Sequence, residues 1–168
     1  MMARWVWVLF ALVVLQPAVA KNIAVDRCID LAAKAYKIDP LALHVIRKVE
    51  AGQPGTVSRN DNGTDDLGPM QINTIHLDTF RGFGITYEDL RDNNDCKNVW
   101  AAAYLYKRHL KAQQGNVAKA IAYYHSRTPK FATRYLGLVK SVIDKEIAER
   151  ERMSQLSRAR KPRLATIE

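Results

Sequence analysis

Apolar residues recur every three or four positions along most of this 168-residue chain. That spacing puts them on one face of an α-helix, so the chain must bury its apolar surface by packing helix against helix. The clearest helical segments are residues 24–36, 40–50, 95–114, 116–124 and 128–143. Two shorter helices are predicted between residues 70 and 94. The pattern therefore predicts a mainly α fold of about six to seven helices.

Residues 51–68 interrupt the helical pattern. This stretch is rich in Gly, Asn and Asp, and a loop of this length in a compact domain is usually functional or disordered. Asn62-Gly63 favours a tight turn or hairpin. We therefore expect at most a small β element in the 51–68 loop.

The first twenty residues have the features of an export signal. Arg4 supplies a positive charge, Trp5 to Leu15 form an apolar core, and residues 18–20 read Ala-Val-Ala, a small-x-small cleavage site. The apolar run is shorter than the roughly twenty residues that span a bilayer. We expect residues 1–20 to be removed by cleavage near Ala20 and the mature chain to carry no transmembrane span. An uncleaved membrane anchor is the alternative.

Residues 21–149 are long enough for one domain with its own core, and residues 150–168 form a basic tail. Six Arg and Lys residues against two Glu give this tail +4 of the net charge of +9. It has little apolar material and is predicted to be a frayed helix end followed by disorder. The tail is either a solvated extension or an electrostatic tether. Because it lacks aromatic residues for base stacking, no nucleic-acid partner is expected.

The two cysteines, Cys28 and Cys96, suit an exported chain with one disulfide. Closing a loop of this length would stabilise the fold by roughly 4 kcal/mol in the loop-entropy model. Two unpaired buried thiols are the alternative. No metal or cofactor is expected, because the histidines lack metal-ligand spacing, the Asp residues of the 51–68 loop do not match a calcium loop, and no phosphate-binding glycine motif is present.

Glu50 closes an apolar-patterned helix that begins at Asp39-Pro40, and it directly precedes the polar 51–68 loop. A carboxyl group in this position can be partly desolvated, and desolvation raises its pKa. A carboxylic acid that keeps its proton near neutral pH can act as a general acid on a glycosidic bond. The alternative is an ordinary exposed glutamate at a helix end.

Several motifs occur along the chain in a fixed order. They are Cys28, Ala32-Ala33-x-x-Tyr36, Glu50, Asn60-x-Asn62-Gly63-Thr64-x-Asp66-x-Gly68-x-Met70-Gln71-Ile72-Asn73, Cys96, and Ala122-Tyr123-Tyr124-His125-Ser126. In this order they resemble the lytic transglycosylases with a goose-lysozyme-like catalytic domain. More narrowly, the chain is similar to the small exported members that accompany type III and type IV secretion systems and pili. The resemblance covers roughly residues 28–139.

The resemblance implies a compact helical bundle of the lysozyme-like α+β class around a catalytic cleft. It implies a periplasmic enzyme that cleaves peptidoglycan glycan strands between N-acetylmuramic acid and N-acetylglucosamine. Glu50 would be the sole essential catalytic carboxylate, first as acid and then as base, giving a 1,6-anhydro product. Local gaps opened in this way would serve a secretion or pilus apparatus. No oligomeric state beyond a monomer is indicated.

The matching motif positions are the candidate substrate-binding residues: Asn60, Asn62, Gly68, Met70, Gln71, Asn73, Tyr124 and His125. Gly68 would let the backbone approach a sugar, and Gln71 and Asn73 offer amide groups for hydroxyls and acetamides. Met70 would form a flexible apolar wall, or else belong to the core. Tyr124 would hydrogen-bond near Glu50 or the acetamide, although packing is the commoner role of a tyrosine.

Two residues depart from the family pattern. Ala51 stands where serine is usual, and Pro69 stands where leucine is usual. The missing hydroxyl at Ala51 favours a competing interpretation, a non-catalytic lysozyme-like assembly factor that binds glycan or secretion components. Within the same chemistry, the alternative is a muramidase in which water attacks C1.

Overall fold

The computed structural model describes residues 17–160, and within them side chains from residue 24 to residue 158. In that range it contains seven α-helices, two 3-10 turns and one small sheet. The helices are α1 (Pro17–Tyr36), α2 (Pro40–Glu50), α3 (Leu77–Arg81), α4 (Tyr87–Asp92), α5 (Lys97–Ala112), α6 (Val117–His125) and α7 (Pro129–Arg160). The predicted mainly α fold is confirmed.

Helix α5 is the centre of the bundle. It packs against α1 on one side and against α6 on the other, while α2 and α6 both contact α7. Its buried face includes Val99, Leu105 and Tyr106, joined by a run of alanines that lets the neighbouring helices approach closely. The helical periodicity of the sequence therefore produces one continuous core.

The sheet has three short antiparallel strands in the order β1 (Val57–Arg59), β2 (Asp65–Leu67) and β3 (Ile72–Asn73). Strands β1 and β2 form the expected hairpin in the 51–68 loop, closed by a turn in which Gly63 has a φ of +79°. Strand β3 lies beyond that loop and pairs with β2. The β element is thus slightly larger than predicted, because the backbone after Met70 pairs with β2 before it turns helical.

Helix ends are set mainly by local chemistry. The Asp39 carboxylate accepts the Leu41 N–H at 2.9 Å with Pro40 at the first helical position, and Thr86 and Asp89 form a reciprocal capping box on α4. Helix α5 is the exception. Before it, Asn93, Asp95 and Cys96 all have positive φ, and Cys96 begins the helix without a side-chain cap.

The Cys28–Cys96 disulfide is confirmed and joins α1 to the start of α5, with the two Cα atoms 5.4 Å apart. The bond holds the chain where it enters α5 through left-handed residues. It therefore fixes one end of the central helix against the first.

Residues 1–16 and 161–168 lie outside the described range, so most of the predicted leader and the end of the tail are not seen. Helix α7 continues past residue 149 to Arg160, where a frayed end followed by disorder is predicted. Its Glu, Arg, Gln and Leu residues are good helix formers, which accounts for the added turns. No helix among the described residues is both long enough and apolar enough to cross a membrane.

Asn98 joins the sheet to the bundle. This residue of α5 is fully buried, and its amide nitrogen donates to the carbonyls of Leu67 and Leu90, both at 2.7 Å. Its amide oxygen accepts the Met70 N–H at 2.9 Å. One side chain therefore connects β2, the following turn and α4 to α5.

We expect Asn98→Ala to lower the free energy of unfolding by about 3 kcal/mol, because it leaves buried backbone groups without partners. Chemical denaturation followed by circular dichroism measures this loss. Gln155→Ala, at an exposed position on α7, is the control and should change the value by no more than about 0.5 kcal/mol. Equal stability of the two variants would show that Asn98 does not hold the sheet.

Candidate active site

Glu50 is the last residue of α2, and the backbone turns sharply after it. Ala51 takes a left-handed conformation with φ of 52°, and its N–H closes the helix on the Arg47 carbonyl. At Gly52 a Cβ atom would lie only 2.2 Å from the Gly68 carbonyl oxygen, so only glycine fits there. This close contact brings the strand-connecting loop against the end of α2. Ala51 therefore ends helix α2 without the hydroxyl that a serine would bring to this position.

Tyr135 holds the Glu50 carboxyl in place. Its hydroxyl donates to Glu50 Oε1 at 2.7 Å, across 85 residues of sequence, and its ring is only 2% exposed. The ring of His125 stacks on it with centroids 4.6 Å apart and planes 6° apart. In the sequence, Tyr135 is one position of the helix predicted over residues 128–143 and is not among the candidate site residues. Periodicity shows that such a residue faces inward, and it does not show which polar group its hydroxyl meets.

The pKa of Glu50 is raised from its usual 4.5 to about 7. Burial is the largest cause; the hydrogen bond from Tyr135 works against it by stabilising the carboxylate, and the negative charge of Asp66 adds to it. The pKa values of the Tyr124 and Tyr135 hydroxyls are raised by burial and by Glu50, so both remain donors. The Glu50 side chain can therefore hold its proton near neutral pH.

Glu50 lines a cleft with a volume of about 520 Å³. Six of the predicted substrate-binding residues line it as well: Asn60, Asn62, Gln71, Asn73, Tyr124 and His125. The other lining residues were not predicted from the sequence as binding residues. They are Asp61, Asp66, Ile72, Ile75, His76, Leu105, Ser126 and Phe131. Ile75 and Phe131 are 66% and 48% exposed. They offer apolar surface at the cleft. In the sequence, each is marked only as an apolar residue outside the main helical stripe.

Asp66 lies in β2 and is held by two asparagine side chains. Asn60 donates to one carboxylate oxygen at 3.0 Å and Asn73 to the other at 2.7 Å. Both amides also reach the Thr64 hydroxyl, which donates to Asn62. A network of side chains therefore forms this wall of the cleft.

Gly68 and Met70 lie outside the cleft. A Cβ atom on Gly68, whose φ is +66°, would lie 2.2 Å from the Leu90 carbonyl oxygen, so the close approach it permits is to α4 and not to a sugar. Met70 is fully buried, so its side chain belongs to the core and cannot form a wall for substrate. These two predicted contacts with substrate are therefore not supported by their positions.

The backbone around Met70 nevertheless positions the cleft. Its carbonyl accepts the Tyr124 hydroxyl at 2.8 Å, so the hydrogen bond expected from Tyr124 to Glu50 is supplied by Tyr135. Gln71 has a φ of +48°, an unusual conformation for a residue with a side chain. Its amide nitrogen donates to the Gly68 carbonyl at 2.8 Å.

No three His, Cys, Asp or Glu side chains within the described part of the chain are arranged to hold a metal ion. The cleft combines the Glu50 carboxyl group, the carboxylates of Asp61 and Asp66, and several amides. Such a set can protonate a leaving oxygen and hydrogen-bond a polar, uncharged polymer such as a glycan.

Comparison with known proteins agrees with this arrangement. The chain is 29% identical to invasion protein IagB of Salmonella typhimurium over 110 residues, which is 65% of this chain and 68% of that protein. It is 31% identical to protein IpgF of Shigella flexneri over 102 residues, 60% of this chain and 66% of that protein. The family model of the transglycosylase SLT domain matches residues 27–142. Because this match covers more than half of the chain, the protein belongs to the transglycosylase SLT domain family, the peptidoglycan lytic transglycosylases.

Proposed function

We propose that the enzyme cleaves the β-1,4 bond between N-acetylmuramic acid and N-acetylglucosamine, with Glu50 as both acid and base. The observation that carries this proposal is the partly buried Glu50 carboxyl, with a pKa of about 7, in a cleft lined by amide side chains. A group with this pKa gives up and regains a proton with little cost near neutral pH.

In the proposed first step, the Glu50 proton passes to the glycosidic oxygen as the bond from C1 to that oxygen breaks. The electron pair of the bond leaves with the oxygen, and the muramyl N-acetyl group stabilises the positive charge at C1. The Glu50 carboxylate then takes the proton of the C6 hydroxyl, whose oxygen bonds to C1. The products are a 1,6-anhydro sugar and a free hydroxyl, and Glu50 is again protonated.

Tyr135 fits both steps. Its hydroxyl donates to Glu50 in the protonated and the ionised state, so it orients the acid and then stabilises the carboxylate. The parallel His125 ring keeps Tyr135 in this position. His125 therefore acts through Tyr135 and is a positioning residue.

Hydrolysis is the second candidate, and Asp66 is the observation that favours it. This carboxylate lines the same cleft, interacts with Glu50 and is aligned by two amides. A second carboxylate could activate water for attack on C1. Mass spectrometry of digested sacculi separates the two reactions, because the anhydro product is lighter than the hydrolysis product by one water.

Peptidoglycan lies outside the cytoplasmic membrane, and an enzyme of this family acts there. We further propose that the chain is exported to the periplasm by cleavage near Ala20 and opens local gaps for a secretion or pilus apparatus. The similarity to a protein named for invasion supports this role. Co-purification of the apparatus with the tagged enzyme from its native host would test it.

Glu50→Gln should reduce the clearing of purified sacculi by about 10³-fold, because the amide cannot supply the proton. Turbidity of a sacculus suspension measures the rate. Glu149→Gln, which removes the same charge from an exposed position on α7, is the control and should clear sacculi at the wild-type rate. Full activity of Glu50→Gln would exclude Glu50 as the acid.

The pH dependence of activity should report the same proton. Since Glu50 must be protonated to act first as an acid, kcat/KM should fall tenfold per pH unit above about 7. Initial rates on soluble glycan strands between pH 5 and 9 measure this limb. A limb that begins near the usual glutamate pKa of 4.5 would contradict the assignment.

The same pKa predicts a dependence of stability on pH. The folded state holds the Glu50 proton more tightly than the unfolded state, so this group lowers the free energy of unfolding as the pH rises from 4.5 to about 7. Glu50→Gln removes this loss, which is at most about 3 kcal/mol. Its Tm should therefore exceed that of the wild type by several degrees at pH 8 and by less at pH 4.5, as measured by calorimetry.

Tyr135→Phe should lower kcat by about tenfold and move the alkaline limb to higher pH. The hydrogen bond from Tyr135 lowers the pKa of Glu50, so its removal raises that pKa further while the acid loses its orientation. The control is Tyr123→Phe, because the ring of Tyr123 contacts His109 and not Glu50. A drop in kcat without a shifted limb would show that Tyr135 contributes packing alone.

A further inference from the structure

A second cavity adjoins the cleft and differs from it in charge. It has a volume of about 670 Å³ and shares His76 and Leu105 with the cleft, so the two form one continuous surface. Its other lining residues are Arg108, His109, Lys111, Ala112 and Arg127. We call this the basic cavity. It is built by the last two turns of α5 and the connection between α6 and α7.

The cations of the basic cavity have no acidic partner among the described residues. No Asp or Glu lines the cavity, and within residues 24–158 none of the salt bridges includes Arg108, Lys111 or Arg127. Arg108 lies over the ring of Tyr104, with its Cζ atom 5.6 Å from the centroid. Some other cations among the described residues are paired, as Lys97 is with Asp89 at 2.9 Å.

The pKa values of His76 and His109 reflect the positive potential of the basic cavity. Burial lowers the pKa of His76 and His109, and the charges of Arg108 and Arg127 lower both values further. At neutral pH the two rings are therefore uncharged, and each can still donate one hydrogen bond. The positive potential comes from the side chains of Arg108, Lys111 and Arg127.

The proposed substrate places its negative charges beside the glycan. The sugar rings are neutral, whereas the peptide stems attached to the muramyl residues carry free carboxylates, including one at the end of each stem. A stem that leaves a muramyl unit bound in the cleft past His76 and Leu105 would reach the basic cavity. Arginine and lysine are suited to carboxylates at such a partly exposed site.

We propose that the basic cavity binds the carboxylates of the peptide stem, so that the enzyme selects peptide-bearing over peptide-free glycan. This inference rests on the proposed glycan-cleaving function of the adjoining cleft. Lys111 and Arg127 are the cations to remove, because both are exposed and neither side chain forms a hydrogen bond or salt bridge with a described residue. Arg108 also supports the Tyr104 ring.

The test compares Lys111→Gln/Arg127→Gln with Arg27→Gln/Lys34→Gln. The control pair removes the same two residue types from exposed positions on α1 that line neither the cleft nor the basic cavity. Each is combined with Glu50→Gln, so that binding is measured without turnover. The probes are a disaccharide tetrapeptide, the same compound with its peptide carboxylates amidated, and the peptide-free disaccharide with its free lactyl carboxylate.

We expect the cavity pair to weaken binding of the disaccharide tetrapeptide by about tenfold, as two partly exposed ion pairs are lost. Amidation of the peptide should weaken binding to the Glu50→Gln protein to a similar degree. Binding of the peptide-free disaccharide should not change, and the control pair should match the Glu50→Gln protein throughout. Isothermal titration calorimetry measures each Kd.

Equal affinity of the cavity and control pairs for the tetrapeptide probe would overturn the proposal. So would a loss confined to the peptide-free disaccharide, which would assign the cavity to the lactyl carboxylate. Turnover of peptide-free strands by the cavity pair with intact Glu50 tests the proposed function separately. If the cavity pair turns over peptide-free strands normally and binds the tetrapeptide probe unchanged, the proposed role of the basic cavity is refuted. The proposed cleavage function would stand.

Discussion

The Asn98 amide is the contact on which the geometry of the site depends. Its three hydrogen bonds tie β2, the turn at Met70 and α4 to the central helix. The carbonyl of the same Met70 accepts a hydrogen bond from the Tyr124 hydroxyl, so the backbone of Met70 is held at both its N–H and its carbonyl. Gln71 and the β3 residue Asn73 follow directly, and their place in the cleft is set by that anchor. A sheet of three short strands would be too small to hold such a position on its own.

On the α2 side of the cleft, the fold disfavours the ionised form of Glu50. Helix α2 ends at Glu50, and α7 covers the carboxyl with Tyr135, which removes the acid from water but leaves one hydrogen bond. Burial and the charge of Asp66 both disfavour the carboxylate, and only Tyr135 favours it. The fold is therefore less stable at pH 8 than it would be with a neutral side chain. The core and the disulfide between α1 and α5 offset this cost, a common relation between stability and catalytic groups.

The sequence predicted those parts of the site whose cause is local. Asp39-Pro40 and the glycines after Ala51 set the ends of α2, so the place of Glu50 followed from its neighbours; Asn62-Gly63 similarly indicated the hairpin. The rest depends on contacts across the fold. Asn98 reads as one polar residue in a helix, and Tyr135 as one inward position, until packing brings them to Leu67 and Glu50. Met70 lies in the motif but faces the core, because its backbone rather than its side chain serves the cleft.

The electrostatics of the whole surface follow from the same packing. Helix α5 crosses the bundle from Asn98, under the sheet, to Lys111 in the basic cavity, so one rigid element connects the two regions. The cleft carries the carboxylates of Glu50, Asp61 and Asp66, whereas the lining of the adjoining cavity carries none among the described residues. A neutral glycan with acidic side branches can satisfy both regions only when its branches point toward α5. The charge pattern would thus orient the strand before the Glu50 proton is transferred.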